Sequence, residues 1–198
     1  MSMKTPCPGA GISRETLIAW TQGRVEAYEK IVKATMKQSY AIALGFLGNE
    51  QDAKDASQEA YIAAHGARKS FDVNRPFFPW FHRILRNRCL NMLEKRARCM
   101  EVSLDAIVDR EEPGSSPERS RLKKETAAIV WKALFSLSPE HREIIVLRSF
   151  QEYSYREIAR VLDISEGTVM SRLFYARKAL REALRGMYGE PAADGEGV

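Results

Sequence analysis

The sequence predicts an all-α protein of two small helical domains joined by a flexible acidic linker, the C-terminal domain containing a helix-turn-helix. Three observations carry that expectation. Apolar residues recur at i, i+3, i+4 spacing along most of the chain, as in helices with one buried face. Residues 154–178 hold a capping box and a tight turn between two short periodic stretches. Charge is also uneven. From Phe77 to Arg98 it is Arg83, Arg86, Arg88, Lys95, Arg96 and Arg98 against Glu94, whereas from Glu101 to Glu118 it is Glu101, Asp105, Asp109, Glu111, Glu112 and Glu118 against Arg110. A basic block followed by an acidic connector reads as a binding surface followed by a linker. The 198 residues suffice for one large or two small domains. The expected boundaries are 14–98 and 121–186 for the domains, 99–120 for the linker and 187–198 for a disordered tail.

Residues 1–13 contain Pro6, Pro8, Gly9 and Gly11 and read as a flexible lead-in. Ser13 caps a short helix, RETLIAW, and Gly23 breaks it. A longer helix follows from Val25 to Leu47, with Tyr28, Ile31, Val32, Tyr40, Ala43, Leu44 and Leu47 as core positions, and Gly48-Asn49 ends it. Gly45 lies inside that helical pattern, against its propensity. The next helix, from about Glu50 to Lys69, is rich in alanine, which favours helix and permits close packing. Its Asp52, Asp55 and Glu59 share an acidic face with Gln58 beside it. No histidine accompanies them at helical spacing, so a protein-docking or solvated face is expected rather than a metal site.

Pro76 and Pro79 interrupt helix in FDVNRPFFPW, where Phe71, Phe77, Phe78 and Trp80 are crowded together. FHRILRNRCLNMLEKRAR then resumes as a basic helix with Ile84, Leu85, Cys89, Leu90 and Leu93 on its apolar side. Two readings stand for this tract. Aromatics beside arginines suit single-stranded nucleic acid, with bases on rings and phosphates on guanidinium groups. Equally, the rings are ordinary core and the arginines ordinary surface. Pro113, Gly114, Ser115, Ser116 and Pro117 mark the linker. Leu122 to Leu137 is the next helix, with Ile129, Val130, Ala133, Leu134 and Leu137 apolar, and Ser138-Pro139 opens PEHREIIVLRSF.

The helix-turn-helix follows. Ser154 and Glu157 form the capping box, Ile158, Ala159 and Leu162 share a face, and Asp163 tolerates the left-handed backbone that a tight turn needs. Ser165 caps the second helix, in which Val169 and Leu173 point inward. Its exposed face carries Glu166, Thr168, Ser171, Arg172, Tyr175, Arg177 and Lys178, side chains able to reach base edges and phosphates. A second helix of this kind is built to enter a major groove.

The net charge of +5 suits a polyanionic partner. Cys7, Cys89 and Cys99 are odd in number and lack CxxC spacing, so neither a disulfide framework nor a zinc site is implied. No apolar run reaches the roughly 20 residues that span a bilayer, and no signal-like segment opens the chain. A cytoplasmic protein without membrane insertion is expected. No P-loop, nucleophile motif or metal-ligand cluster is present, and no catalytic residue, cofactor or metal is expected.

Two separated motif sets resemble the bacterial sigma factors of the extracytoplasmic-function type. LIAWTQGRVEAY resembles the family's opening helix, DASQEAY its D-x-x-Q-E segment, and FDVNRPFFPWFHRILRNRCLN its F-x-x-W-hydrophobic-x-x-I-x-x-N signature. From LSPEHREI to KALRE the chain resembles the family's C-terminal domain along nearly its whole length. A lone helix-turn-helix is weakly specific, but both sets in the right order are strongly so. Four positions depart from the pattern: Asp163 replaces the usual turn glycine, Met170 a common lysine, Asn91 a usual aspartate, and Leu93-Glu94 interrupt an arginine-rich run.

The resemblance implies a protein that binds core RNA polymerase and directs it to promoter DNA, both duplex and melted strand. Asp55, Gln58 and Glu59 would dock on the polymerase clamp. Phe71, Asn74, Arg75, Trp80, Arg83, Arg86, Asn87 and Asn91 would engage the minus-ten element, and Glu166 to Lys178 the minus-thirty-five element. It also implies an anti-sigma factor as partner. The rival reading is a repressor or activator that binds DNA by itself, and the need for core polymerase discriminates the two.

Overall fold

Several helices of this chain start where a side chain satisfies free N–H groups of the first turn, although the helix opening at Val25 has no such cap. The Ser13 hydroxyl accepts from the Thr16 amide at 3.2 Å, Asn49 Oδ1 from Asp52 at 3.0 Å and Ser138 from His141 at 3.3 Å. Ser154 accepts from Glu157 at 3.3 Å while the Glu157 carboxylate accepts from the Ser154 amide at 2.8 Å, which completes the expected capping box. The computed structural model describes residues 11–100, 126 and 128–188. Most of the expected lead-in, acidic linker and tail lies outside the described residues; Met187 and Tyr188, expected to begin a disordered tail, are instead helical.

The elements are α1 (Arg14–Thr21), α2 (Val25–Leu47), α3 (Glu50–Gly66), a 3-10 turn (Arg68–Ser70) and α4 (Phe77–Met100). Then come α5 (128–135), α6 (Pro139–Ile145), a π-helical turn (Val146–Phe150), α7 (Tyr155–Leu162) and α8 (Glu166–Tyr188). No strand occurs among the described residues. Two expectations change. Pro79 does not interrupt α4, because it falls in the first turn, where its missing N–H has no helical partner to lose. The second helix of the helix-turn-helix is not short: ALREALRGMY after Lys178 is dominated by good helix formers and carries α8 on to Tyr188.

In the N-terminal half, Trp20 is the hub. It is fully buried, with the rings of Tyr28, Phe71, Phe77 and Trp80 at centroid distances of 5.4 to 5.9 Å. One residue thereby ties α1 to α2, to the loop before α4 and to α4 itself. The alanines of α3 do what their size allows: Ala53, Ala56, Ala60 and Ala64 are fully buried where α3 lies along α2. A polar seam crosses the same contact, with Tyr61 Oη at 2.7 Å from Thr35 Oγ1 and 2.9 Å from Ser39 Oγ. The α2 core is therefore Ala27, Ile31, Thr35, Ser39, Ile42, Ala43, Phe46 and Leu47, whereas Tyr28, Val32, Tyr40 and Leu44 are only half-buried.

In the C-terminal half the buried Arg142 of α6 holds the end of α5. Its guanidinium donates to the carbonyls of Leu134 at 3.0 Å, Phe135 at 2.6 Å and Leu137 at 3.3 Å. A cation there completes carbonyls that the helix leaves open. Ile158, Val161, Val169, Leu173 and Ala176 form the apolar centre of the helix-turn-helix; Ala159 and Leu162 flank it, half-buried.

The two halves are in contact. α4 packs against α7, and α2 packs against α6 and the π-helical turn. Gly45 explains how close they come. A Cβ built on it would lie 2.5 Å from Val146 Cγ1 and 2.9 Å from Val146 Cγ2. The residue that looks like a helix flaw in sequence is the one that lets the C-terminal half sit down on α2.

Candidate nucleic-acid interface

The turn into α8 is set by Asp163, at φ 57° and ψ 50°, whose amide donates to the Ala159 carbonyl. This is the left-handed conformation anticipated for that position, adopted without glycine. Ser165 then accepts from the Thr168 amide at 3.0 Å and lies 2.8 Å from its hydroxyl. Val169, Leu173 and Ala176 anchor the helix inward, which leaves Glu166, Thr168, Ser171, Tyr175, Arg177 and Lys178 exposed and Arg172 half-buried. These residues wrap the helix rather than forming one line: Arg172 and Arg177, five residues apart, stand about 140° apart around the axis at 3.6 residues per turn. The buried Val169, Leu173 and Ala176 fill the arc between them, and the wider outer arc also exposes Met170, Phe174 and Tyr175, so an apolar strip runs through the cationic face.

The polar face of α4 is arranged differently. Arg83 donates to Asp163 Oδ2 at 2.7 Å. Arg86 donates through Nε to Glu143 Oε2 at 3.0 Å and through Nη2 to Glu140 Oε1 at 3.5 Å. Both arginines thus meet carboxylates of the C-terminal half. Asn87 and Asn91 are exposed, and Arg88 pairs with Glu59 of α3 at 3.8 Å. Glu143 is almost fully buried, and desolvation pushes its carboxyl up to about 7 despite Arg86 beside it, with Arg172 also drawing it down and Glu140 raising it. His82 Nε2 lies 3.7 Å from Glu143 Oε1. Burial, reinforced by Arg86, pushes the imidazole down to about 3, so this is a contact between a neutral ring and a carboxyl group, not an ion pair.

The loop before α4 is held by Asp72, whose Oδ1 accepts from the Asn74 amide at 2.9 Å and from its side chain at 3.0 Å. Those bonds, the backbone one first, hold the Asp72 carboxyl below its ordinary value. Asn74 and Arg75 are exposed. Phe71 is not: 6% exposed and packed on Trp20, Phe77 and Trp80, its ring shapes the loop from beneath and offers too little face for a base to stack on. Trp80 is half-buried in the same cluster. On α3, Asp55 accepts from Gln51 at 3.0 Å and is half-buried, while Gln58 and Glu59 are exposed. Among the described residues there is no group of three or more His, Cys, Asp or Glu placed to hold a metal, and no helix long and apolar enough to cross a membrane.

Sequence reasoning missed His82, Glu140 and Glu143. The signal was there in part: PEHREI places two acids three residues apart on one helix face, opposite in sign to the arginine row of α4.

The Sigma-70 region 2 family matches residues 31–99, and Sigma-70 region 4 matches residues 127–180. The ECF RNA polymerase sigma factor SigW of Bacillus subtilis is 32% identical over 174 residues, covering 83% of this chain and 92% of that protein. Among solved structures, CnrH in complex with the cytosolic domain of CnrY superposes with a TM-score of 0.63 at 26% identity, over 88% of this chain and 98% of that one. The sigma factor RpoE of Bartonella quintana, solved with the anti-sigma factor NepR, gives 0.56 at 25% identity, over 81% of this chain and 98% of that one. Region 2 and region 4 in order, and a relative matched over nearly its full length, make this chain a member of the ECF family of RNA polymerase sigma factors.

Proposed function

We propose that the chain divides promoter recognition between its two halves, with residues 14–98 taking the polymerase clamp and the minus-ten strand and residues 121–186 the minus-thirty-five duplex. The observation that carries this is the open cationic face of α8, capped by Ser165 and turned outward by Val169, Leu173 and Ala176. Thr168, Ser171, Arg172, Tyr175, Arg177 and Lys178 reach base edges and phosphates in the major groove. On α4 and its preceding loop, Asn74, Arg75, Arg83, Arg86, Asn87 and Asn91 meet the melted strand, while Phe71 and Trp80 hold the loop in shape. Asp55, Gln58 and Glu59 dock on core polymerase in the cytoplasm. An anti-sigma factor is the further partner, as RpoE was solved in complex with the anti-sigma factor NepR.

Run-off transcription with purified core polymerase, with and without this protein, tests the reading. Initiation at discrete sites that needs both components is the expected result. Tight duplex binding by the protein alone, with core polymerase never redirected, would replace it with a stand-alone repressor. Core-polymerase pull-down then separates the residue sets: Asp55→Ala and Gln58→Ala weaken capture, and Arg172→Ala and Arg177→Ala leave it intact.

A further inference from the structure

Helix α1 opens on a cation that its own helix does not favour. Arg14 is the first residue of α1, at the positive end of the helix dipole, where acids are stabilising and cations are not. Its partner lies 60 residues on, in the loop before α4: the guanidinium donates through Nη2 to Asn74 Oδ1 at 2.9 Å. Trp20, about 9 Å further along α1 at 1.5 Å per residue, packs on Phe71 of the same loop at 5.5 Å. α1 thus holds the loop twice, by a hydrogen bond at one end and a ring at the other.

The consequence falls on Asn74. A side-chain amide can stand either way round, oxygen and nitrogen exchanged, until its neighbours decide between the two. A guanidinium only donates, so Oδ1 faces Arg14; a carboxylate only accepts, so Nδ2 faces Asp72 Oδ1, at 3.0 Å. The backbone is fixed as well, with Asp72 Oδ1 accepting from the Asn74 amide at 2.9 Å and the Asp72 carbonyl from the Arg75 amide at 3.0 Å. Asparagine reads adenine with both amide atoms at once, the oxygen accepting and the nitrogen donating. With Oδ1 engaged by a cation, Asn74 offers the strand its second N–H instead of that pair.

We infer that Arg14 is a positioning residue for promoter reading: it turns the Asn74 amide so that the loop presents a donor, which favours a base carbonyl and disfavours adenine. Adenine is the one base without a carbonyl, and its ring acceptors flank an amino group that would be left without an acceptor. The inference rests on the reading of this loop as part of the minus-ten contact. Arg14 acts through Asn74 and not by touching the strand.

The test reads base preference, which a merely structural contact would not move. The complex of the full chain with core polymerase is titrated, by anisotropy, against fluorescein-labelled fork-junction DNA. That DNA carries the minus-ten strand of a promoter found by run-off transcription, with all four bases placed in turn at each position. The wild-type complex is expected to disfavour adenine at one position. Arg14→Ala should reduce that discrimination about threefold to tenfold, the loss of one exposed hydrogen bond. Arg14→Lys should keep most of it, because an ammonium also donates to Oδ1. Ser13 still caps α1 in Arg14→Ala and a cation leaves the positive end of the helix, so unfolding midpoints should not fall. Asn74→Ala should abolish the preference, and Arg14→Ala added to it should change nothing more. An unaltered preference in Arg14→Ala would overturn the inference. So would an equal loss of affinity for every base, which marks a phosphate contact, or a further loss in the double variant. A wild-type complex with no preference that depends on Asn74 would remove the reading of the loop together with the inference. A preference that needs Asn74 but survives Arg14→Ala would leave the reading standing and remove only the positioning role.

Discussion

Helices α4 and α8 both carry arginine rows, and in sequence the two rows look alike. In the structure they differ in what faces them. The α8 row is open at Arg177, which is exposed, with only the half-buried Arg172 near Glu143, whereas the α4 row faces Asp163, Glu140 and Glu143 of the other half. A cationic helix face therefore specifies an anion but not which one, and a protein can supply that anion from its own chain. The α4 arrangement also varies along its length. Arg83 to Asp163 is an exposed pair, while Arg86 to Glu143 sits one turn further in, where the carboxylate side chain is 3% exposed.

That gradient sets the largest expected effect. Removing Arg86 leaves Glu143 buried without its cation, and breaking a buried pair costs about 3–5 kcal/mol. Arg86→Ala should lower unfolding stability by about that amount above neutral pH, measured by urea denaturation, and by much less in mild acid, where Glu143 takes a proton instead. The pH dependence of the unaltered protein follows from the same site. Glu143, raised from 4.5 to about 7, contributes stability that is complete below 4.5 and lost as pH rises through 7. His82, lowered from 6.5 to about 3, contributes stability that is complete above 6.5 and lost as pH falls toward 3. Between 4.5 and 6.5 the two slopes cancel, since folded and unfolded forms each carry one proton on the pair. The groups facing Glu143 are His82, Arg86 and Cys89 of α4, Glu140 of α6 and Arg172 of α8, and the Cys89 thiol, pushed up to about 12 by burial, stays neutral throughout. Thermal unfolding midpoints should thus be level with pH across that window for this site. His82→Gln should make them fall with rising pH, and Glu143→Gln should make them rise. Parallel profiles for all three proteins would remove the site from the pH response.

Next in size is the open face. Arg177→Ala is expected to cost duplex promoter binding about 1–3 kcal/mol, uniformly across sequences if the contact is to phosphate and selectively if it is to a base edge. Arg172→Ala should cost a similar amount, but it also removes a cation near Glu143, so its loss includes a change in stability that Arg177→Ala lacks. Mobility shifts of the polymerase complex on wild-type and mismatched promoter fragments, read beside unfolding midpoints, separate the two.

Local features of this chain were legible and long-range ones were not. The caps at Ser13, Ser138 and Ser154 and the left-handed Asp163 depend on residues within a turn of each other, so sequence spacing sufficed. The inward residues of α8 were likewise found from a spacing of four. The α2 core was misjudged because Tyr28 and Tyr40 carry large rings that remain half-buried, while Thr35 and Ser39 are buried by bonding within their own helix and to Tyr61. Gly45 was read as a weakness because its reason lies 101 residues away in Val146. The closed α4 face was missed for the same cause: pairing between Arg83 and Asp163 spans 80 residues, and no local pattern marks it.

The smallest expected effect is at that outer pair, and it sharpens the comparison most. Arg83 and Asp163 are 61% and 72% exposed in their side chains, and exposed pairs contribute about 0–1 kcal/mol because water and salt screen them. Arg83→Ala should therefore change stability by no more than about that amount, in contrast to Arg86→Ala one turn away. Asp163→Asn keeps the left-handed turn, so a double-mutant cycle between the two positions isolates the pair. Its coupling should shrink toward zero in high salt, where the Debye length falls to about 3 Å at 1 M. A coupling as large as that of Arg86 with Glu143, insensitive to salt, would mean that the outer edge of the closed face is as dry as its centre.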